Sequence, residues 1–134
     1  MTVRIADTVR NTMIDGIRAA IDAGAGPGLL RIYAGSKPGT KGATPAGALL
    51  AELTLADPCG TSSGGVLTFT VSFQDPSANA SGTAAFFYLV DSTGAYVTEG
   101  DIATSGSDLN LVTTSIVSGQ PVTITSFTIT APSA

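Results

Sequence analysis

Gly60-Thr61-Ser62-Ser63-Gly64 has the written outline of a nucleophile elbow, in which a serine on a strand-to-helix turn is deprotonated by a histidine base. The chain contains no histidine, so the segment reads as a loop. Paired-carboxylate chemistry has seven candidates in Glu52, Asp57, Asp75, Asp91, Glu99, Asp101 and Asp108. Four of them, Asp57, Asp75, Asp91 and Asp108, sit in turn-like sequence, where a carboxylate commonly caps backbone amides. Asp101, Ser105, Ser107 and Asp108 offer hard oxygen ligands beside a glycine, but their spacing matches no EF-hand and reads as a turn. Gly24-Ala25-Gly26-Pro27-Gly28 is glycine-rich like a phosphate loop, yet it lacks the Lys-Ser/Thr ending and follows a helical pattern where a phosphate loop would open one. Cys59 is the single cysteine, which leaves no intrachain disulfide and no cysteine-rich metal cluster, and it reads as a small core or loop residue. Asn79-Ala80-Ser81 satisfies the glycosylation sequon, but no signal peptide leads to that machinery, and it reads as a loop. The expectation is a non-enzymatic chain with no catalytic residue, no cofactor and no metal.

These residues are carried by two kinds of element. From Asp7 to Ala23 the apolar residues Val9, Met13, Ile17 and Ile21 recur every four positions, with Ile14 and Ala20 widening the stripe. That pattern predicts a helix with Asp7 as N-cap and Gly24 as stop. Arg10 and Arg18 lie off this stripe, and Gly16 in mid-helix marks a possible close approach of another backbone. The stripe has two uses open to it, covering the chain's own body or packing on a neighbouring subunit. After a glycine hinge at 24–28 the period falls to two. Strands are predicted near Leu29–Tyr33, Leu49–Leu55, Val66–Phe73, Thr83–Val90, Ala95–Ile102, Leu109–Val112 and Val122–Thr130.

Leu67, Phe69, Val71 and Phe73 alternate with Val66, Thr68, Thr70 and Ser72, giving one apolar and one largely hydroxylic face. Thr83–Val90 is apolar on both faces, which suits a central strand or one covered by the helix or a partner. Asp91-Ser92-Thr93-Gly94 predicts an antiparallel hairpin, and Ser118-Gly119-Gln120-Pro121 ends a segment before the last strand. The expected fold is mainly β: an antiparallel β-sandwich of jelly-roll or immunoglobulin-like type preceded by one N-terminal α-helix. Residues 1–24 form the amphipathic arm and 25–134 the sandwich domain. The latter includes a polar loop, 34–47, long enough to imply that it moves or touches something.

Composition narrows the function classes. The 134 residues are 43% hydrophobic and 12% charged, a charged share about half that of ordinary globular proteins. One core is expected, without help from disulfides or metals. Six bases, Arg4, Arg10, Arg18, Arg31, Lys37 and Lys41, all precede position 42, where three acids leave that stretch at +3; the remaining 93 residues carry seven acids and no base, hence −7. An acidic body repels phosphate backbones, and dispersed bases without interleaved aromatics make a poor nucleic-acid footprint, so nucleic acid is not an expected partner. A membrane is not expected either, since no apolar run approaches the roughly 20 residues that span one. The split of charge serves either solubility alone or docking on a charge-complementary surface.

The series Leu29-Leu30-Arg31-Ile32-Tyr33, Leu49-Leu50-Ala51-Glu52-Leu53, Ala80-Ser81-Gly82-Thr83-Ala84-Ala85-Phe86 and Gly119-Gln120-Pro121-Val122-Thr123-Ile124-Thr125-Ser126-Phe127-Thr128-Ile129-Thr130 resembles a family of small structural proteins of tailed phages and prophages. The resemblance covers nearly the whole chain. It implies a virion component, foremost a capsid decoration (cement) protein that binds the outside of the shell as a homo-oligomer, dimer or trimer, where capsomers meet. The implied partner is the major capsid protein, and the implied location is the capsid surface after synthesis in the bacterial cytoplasm. Arg4, Arg10, Arg18, Arg31, Lys37 and Lys41 are the candidate partner-binding residues, facing an acidic shell. The alternative is a tail-tip, fibre or receptor-binding accessory module; a sugar-binding module is disfavoured by the absence of Trp.

Overall fold

The computed structural model describes residues 4–70, 74–111, 113–124 and 126–131. It is mainly β with one helix, α1 (Asp7–Ile21). The strands are β1 (Leu29–Tyr33), β2 (Leu49–Thr54), β3 (Gly60–Ser63), β4 (Val66–Phe69), β5 (Gln74–Asp75), β6 (Gly82–Thr83), β7 (Phe86–Val90), β8 (Tyr96–Ala103), β9 (Leu109–Asn110), β10 (Ser115–Ile116), β11 (Val122–Thr123) and β12 (Thr128–Thr130). A five-stranded sheet runs β2-β1-β7-β8-β9 and a three-stranded sheet β12-β4-β3, with two ribbons, β10-β6 and β11-β5. All pairings are antiparallel except β8 with β9, which is parallel, a departure from the purely antiparallel expectation.

Alternation places the core. Leu30 and Ile32 of β1, Leu50 and Leu53 of β2, Leu67 and Phe69 of β4, and Phe87 and Leu89 of β7 are buried in one continuous cluster with Phe127 and Ile124. The further alternation through Val71 and Phe73 lies outside the described residues, as do Val112 and Thr125. β7 is buried along its whole length, as its two apolar faces predict. Phe86, Tyr88 and Val90 form a second cluster on the opposite face with Tyr33 and Tyr96 around them. The Asp91–Gly94 hairpin is present, with Gly94 at φ +88° and the Asp91 carboxylate accepting from the amides of Thr93 (2.9 Å) and Ala95 (3.0 Å). A bond from the Thr93 hydroxyl, together with these amide bonds, holds the Asp91 carboxyl below the usual carboxylate range.

Several expectations are corrected. The helix stops at Ile21 with Asp22 as C-cap, and its N-cap is Ala6, without a side-chain cap; Asp7 sits in the first turn, where its charge suits the helix dipole. Gly16 has nothing within 4 Å of a Cβ built on it, so no backbone approaches there. Gly60–Ser63 is a strand of the three-stranded sheet and not a loop. The predicted Thr83–Val90 strand is broken at Ala84 and Ala85, where the chain changes partners. Ala84 N–H donates to Thr114 O (2.7 Å) on the ribbon side and Ala85 N–H to Tyr33 O (2.9 Å) on the sheet side. Val122–Thr130 is likewise two strands in two different sheets.

The helix belongs to the body. Ile14 and Ile21 are fully buried and Ile17 packs on the core, while Val9 and Met13 are exposed. The reason is angular: at 3.6 residues per turn, a strict four-residue repeat drifts by about 40° per step. The stripe therefore winds off the buried face. Burial of two isoleucines contributes about 3–6 kcal/mol, more than a detachable arm would carry.

Candidate docking surface

The six bases do not form one patch. Arg10 points from α1 into the junction of the β3–β4 turn with the C-terminal strand. It pairs with Asp7 at 3.2 Å and donates to Ala131 O at 3.1 Å and to Gly64 O at 3.4 Å. Arg18 lies between Asp15 (3.3 Å) and Asp22 (3.8 Å) on the same helix. Arg31 projects from the outer face of β1 to Glu52, its register partner on β2, at 2.8 Å. Lys37 reaches from the 34–47 loop to Asp101 on β8 at 3.1 Å, and that contact raises its pKa. Among the described residues, Arg4 and Lys41 have no carboxylate partner, and both are exposed.

The long loop is a strap over the outer face of the five-stranded sheet. Tyr88 OH donates to Ala43 O at 2.6 Å, Gly42 N–H donates to Glu99 Oε1 at 3.3 Å, and a Cβ on Gly42 would stand 3.2 Å from the Tyr96 ring. Tyr96 OH donates to the same Glu99 oxygen at 2.9 Å. Burial together with this carboxylate pushes the Tyr96 phenol up to about 12. Beneath the strap, Tyr33 stacks on Phe86 with centroids 5.3 Å apart, and Tyr88 meets Tyr96 edge-on at 5.2 Å. All three tyrosines of the chain are thus gathered on this face. Of the two uses its length implied, movement or contact, the loop makes a contact, with the chain's own sheet.

The groups that could do chemistry have structural occupations. Ser62 donates to Asp15 across the α1–β3 interface, and this bond, with Arg18, lowers the Asp15 pKa. Asp22 Oδ1 accepts from Cys59 N–H at 2.9 Å. Cys59 is 1% exposed, and burial beside the Asp22 charge pushes its thiol up to about 12, which keeps it neutral. Asp75 is buried and caps the amides of Glu52 and Ser77, both at 3.0 Å, while Asp108 caps Asp101 N–H at 2.9 Å. Asp57 is exposed and caps nothing among the described residues.

One feature had no signal in the sequence. A cleft of about 650 Å³ opens between β8–β9 and β12, floored by Phe87 and Phe127 and walled by hydroxyl side chains with Glu99, Asp108 and Asn110. Gly100 makes the floor possible, because a Cβ there would stand 2.6 Å from the Phe87 ring. No group of three or more His, Cys, Asp or Glu residues among those described could hold a metal ion, and no described helix is long and apolar enough to cross a membrane. No protein-family model, curated protein or solved structure matches the chain.

Proposed function

We propose that the protein is a non-enzymatic virion component that binds the outside of a phage capsid and stabilises it, working as a homo-oligomer against the major capsid protein. The observation that carries this reading is the structural employment of nearly every reactive group: the carboxylates cap amides or pair with bases, and the one thiol is buried and neutral. What the surface offers is contact chemistry. The sequence resemblance to phage structural proteins supplies the partner, and the two main sheets around a common core are read as a sandwich of jelly-roll or immunoglobulin-like type.

Of the six candidate bases, Arg4 and Lys41 are the best placed to meet an acidic shell, since the other four have carboxylate partners within the chain. Exposed Val9 and Met13, one helical turn apart, can add apolar contact area. Repeated over many capsid sites, modest contacts of this kind suffice to clamp neighbouring subunits. Removal of residues 1–24 is not a clean test, because it strips Ile14 and Ile21 from the core. The test is immunogold labelling or a reconstruction of particles made with and without this chain. Density on the head supports decoration, and density confined to the tail replaces it with the tail-accessory reading.

A further inference from the structure

We infer that the cleft between β8 and β12 is a strand-addition site, built to accept an extended, basic segment of another protein. The argument starts from the sheet edges. Edge strands expose unpaired amides and carbonyls, and folded proteins normally cover them. Here β2 is covered: Leu50 O accepts from the amides of Asn79 (2.8 Å) and Ala80 (3.4 Å), and Glu52 N–H is capped by Asp75. β3 is covered by α1, which packs against it and joins it through Asp15 and Ser62. β9 pairs with β8 only at Ile102 and Ala103, so the earlier part of that β8 edge has no such cover among the described residues, nor has the outer edge of β12, and both border the cleft.

Hydrogen-bond parity shows which groups face it. Phe127 O accepts from Phe69 N–H (3.0 Å) and Ala131 N–H donates to Gly65 O (2.7 Å), so the odd-numbered residues of this stretch bond to β4. In an antiparallel ladder the alternate residues then turn their amides and carbonyls the other way, which directs those of Thr128 and Thr130 to the open edge. On β8, Ile102 N–H donates to Ala85 O (3.0 Å), in register with Gly100 opposite Phe87. Glu99 and Asp101 therefore face outward. Asp108 already caps Asp101 N–H, leaving the main chain of Glu99 open. An added strand would find donors and acceptors on both sides, as in other strand-addition complexes.

The walls choose the occupant. Phe87, Phe127, Leu111 and Ile129 offer an apolar floor for every second side chain of an extended peptide. Asp108 puts a carboxylate on the cleft, where Glu99 offers its main chain because its carboxylate is taken up by Tyr96 and Gly42 on the other face; no base lines the cleft, and the chain beyond Lys41 carries none at all. Charge complementarity thus calls for Lys or Arg alternating with aliphatic or β-branched residues. A second copy of this chain is a poor occupant, since its own body is acidic. This site is separate from the Arg4 and Lys41 surface, and it stands or falls without the capsid assignment.

The test is selection from a displayed library of random heptapeptides against the full chain, followed by hydrogen exchange with the best synthetic peptide. The expected result is a consensus of Lys or Arg alternating with Val, Ile or Thr and lacking proline, with exchange slowed at Glu99, Thr128 and Thr130. Thr128→Pro, which removes an outward N–H that serves no ladder bond, should weaken binding at least about tenfold. If that variant does not fold, Thr128→Arg, which sets a base in the cleft, should weaken it similarly. Asp108→Asn should weaken it about 1.5- to 5-fold at low salt. The inference is overturned by no consensus, by an acidic or proline-rich one, by protection elsewhere such as around Val9 and Met13, or by self-association that protects those amides without peptide.

Discussion

Arg10→Ala tests whether α1 is a swinging arm or a structural member. The Arg10 side chain is 11% exposed although its ion-pair partner Asp7 is 83% exposed. A bond from a charged donor to a carbonyl such as Ala131 O contributes about 1.5–3 kcal/mol net. The pair with exposed Asp7 adds about 0.2–0.5 kcal/mol, and burial of the aliphatic stem adds about 1 kcal/mol. Against these stands Arg10 Nε, which is buried without a partner and already costs about 1 kcal/mol. The variant should therefore lose about 2–3 kcal/mol, read by urea unfolding. At about 3–5 °C per kcal/mol for a chain of this size, Tm should fall by roughly 6–15 °C. Asp7→Asn should cost under about 0.5 kcal/mol, because the bond to Ala131 survives it. If Arg10→Ala proves no worse than Asp7→Asn, the helix is not locked through this side chain and the argument from its burial fails.

Two further predictions probe the same joint and the thiol. Gly28→Ala should cost about 1–3 kcal/mol in unfolding experiments, since a Cβ there would stand 2.7 Å from Ile21 O and 2.9 Å from Val90 O; Gly16→Ala, facing open space, should instead stabilise by up to about 1 kcal/mol. Cys59 should resist a thiol reagent at pH 8 in the native state and react fully once unfolded, and labelling of the native protein at an appreciable rate would refute its burial. Because its folded-state value is raised to about 12, its contribution to stability is fully present below the unfolded value of about 8.5 and is lost as pH rises through the folded one. Cys59→Ser should lessen the loss of stability across that alkaline window.

Much of the fold could be read from period alone, and the misses share one cause. β1 matches its expected span, and Phe86, Tyr88 and Val90 opposite Phe87 and Leu89 mark β7 as doubly buried. What periodicity cannot register is a change of partner. Ala84 and Ala85 look like any strand interior, yet the chain leaves one ribbon and enters another sheet between them. Gly60–Ser63 has no apolar alternation because only Gly60 of the four is buried and α1 lies against the strand. A repeat of four winds around the helix and so passes by Arg10. By angle that residue lies among Ile14, Ile17 and Ile21, and its aliphatic stem packs where an apolar residue would. The cleft left no mark because it is made by two edges more than twenty residues apart in sequence.

The charge segregation that dominates the sequence is resolved by the fold into short-range pairs. Arg31 and Lys37 cross from the basic stretch to the acidic one, meeting Glu52 and Asp101 on the outer face of the five-stranded sheet. Arg10 and Arg18 find their acids within α1. Setting aside these four bases with their five acids leaves Arg4 and Lys41 in the first 41 residues against Asp57, Asp75, Asp91, Glu99 and Asp108 in the body, so the unpaired charge keeps the same segregation as the sequence. At the β8–β12 cleft, where Asp108 stands and no base lines the walls, the inferred attraction is for a basic segment. Long-range attraction of this kind is screened beyond about 10 Å at 0.1 M salt. The association rate of a basic peptide should fall with added salt, while its dissociation rate, set by main-chain bonds to Thr128 and Thr130, should change little.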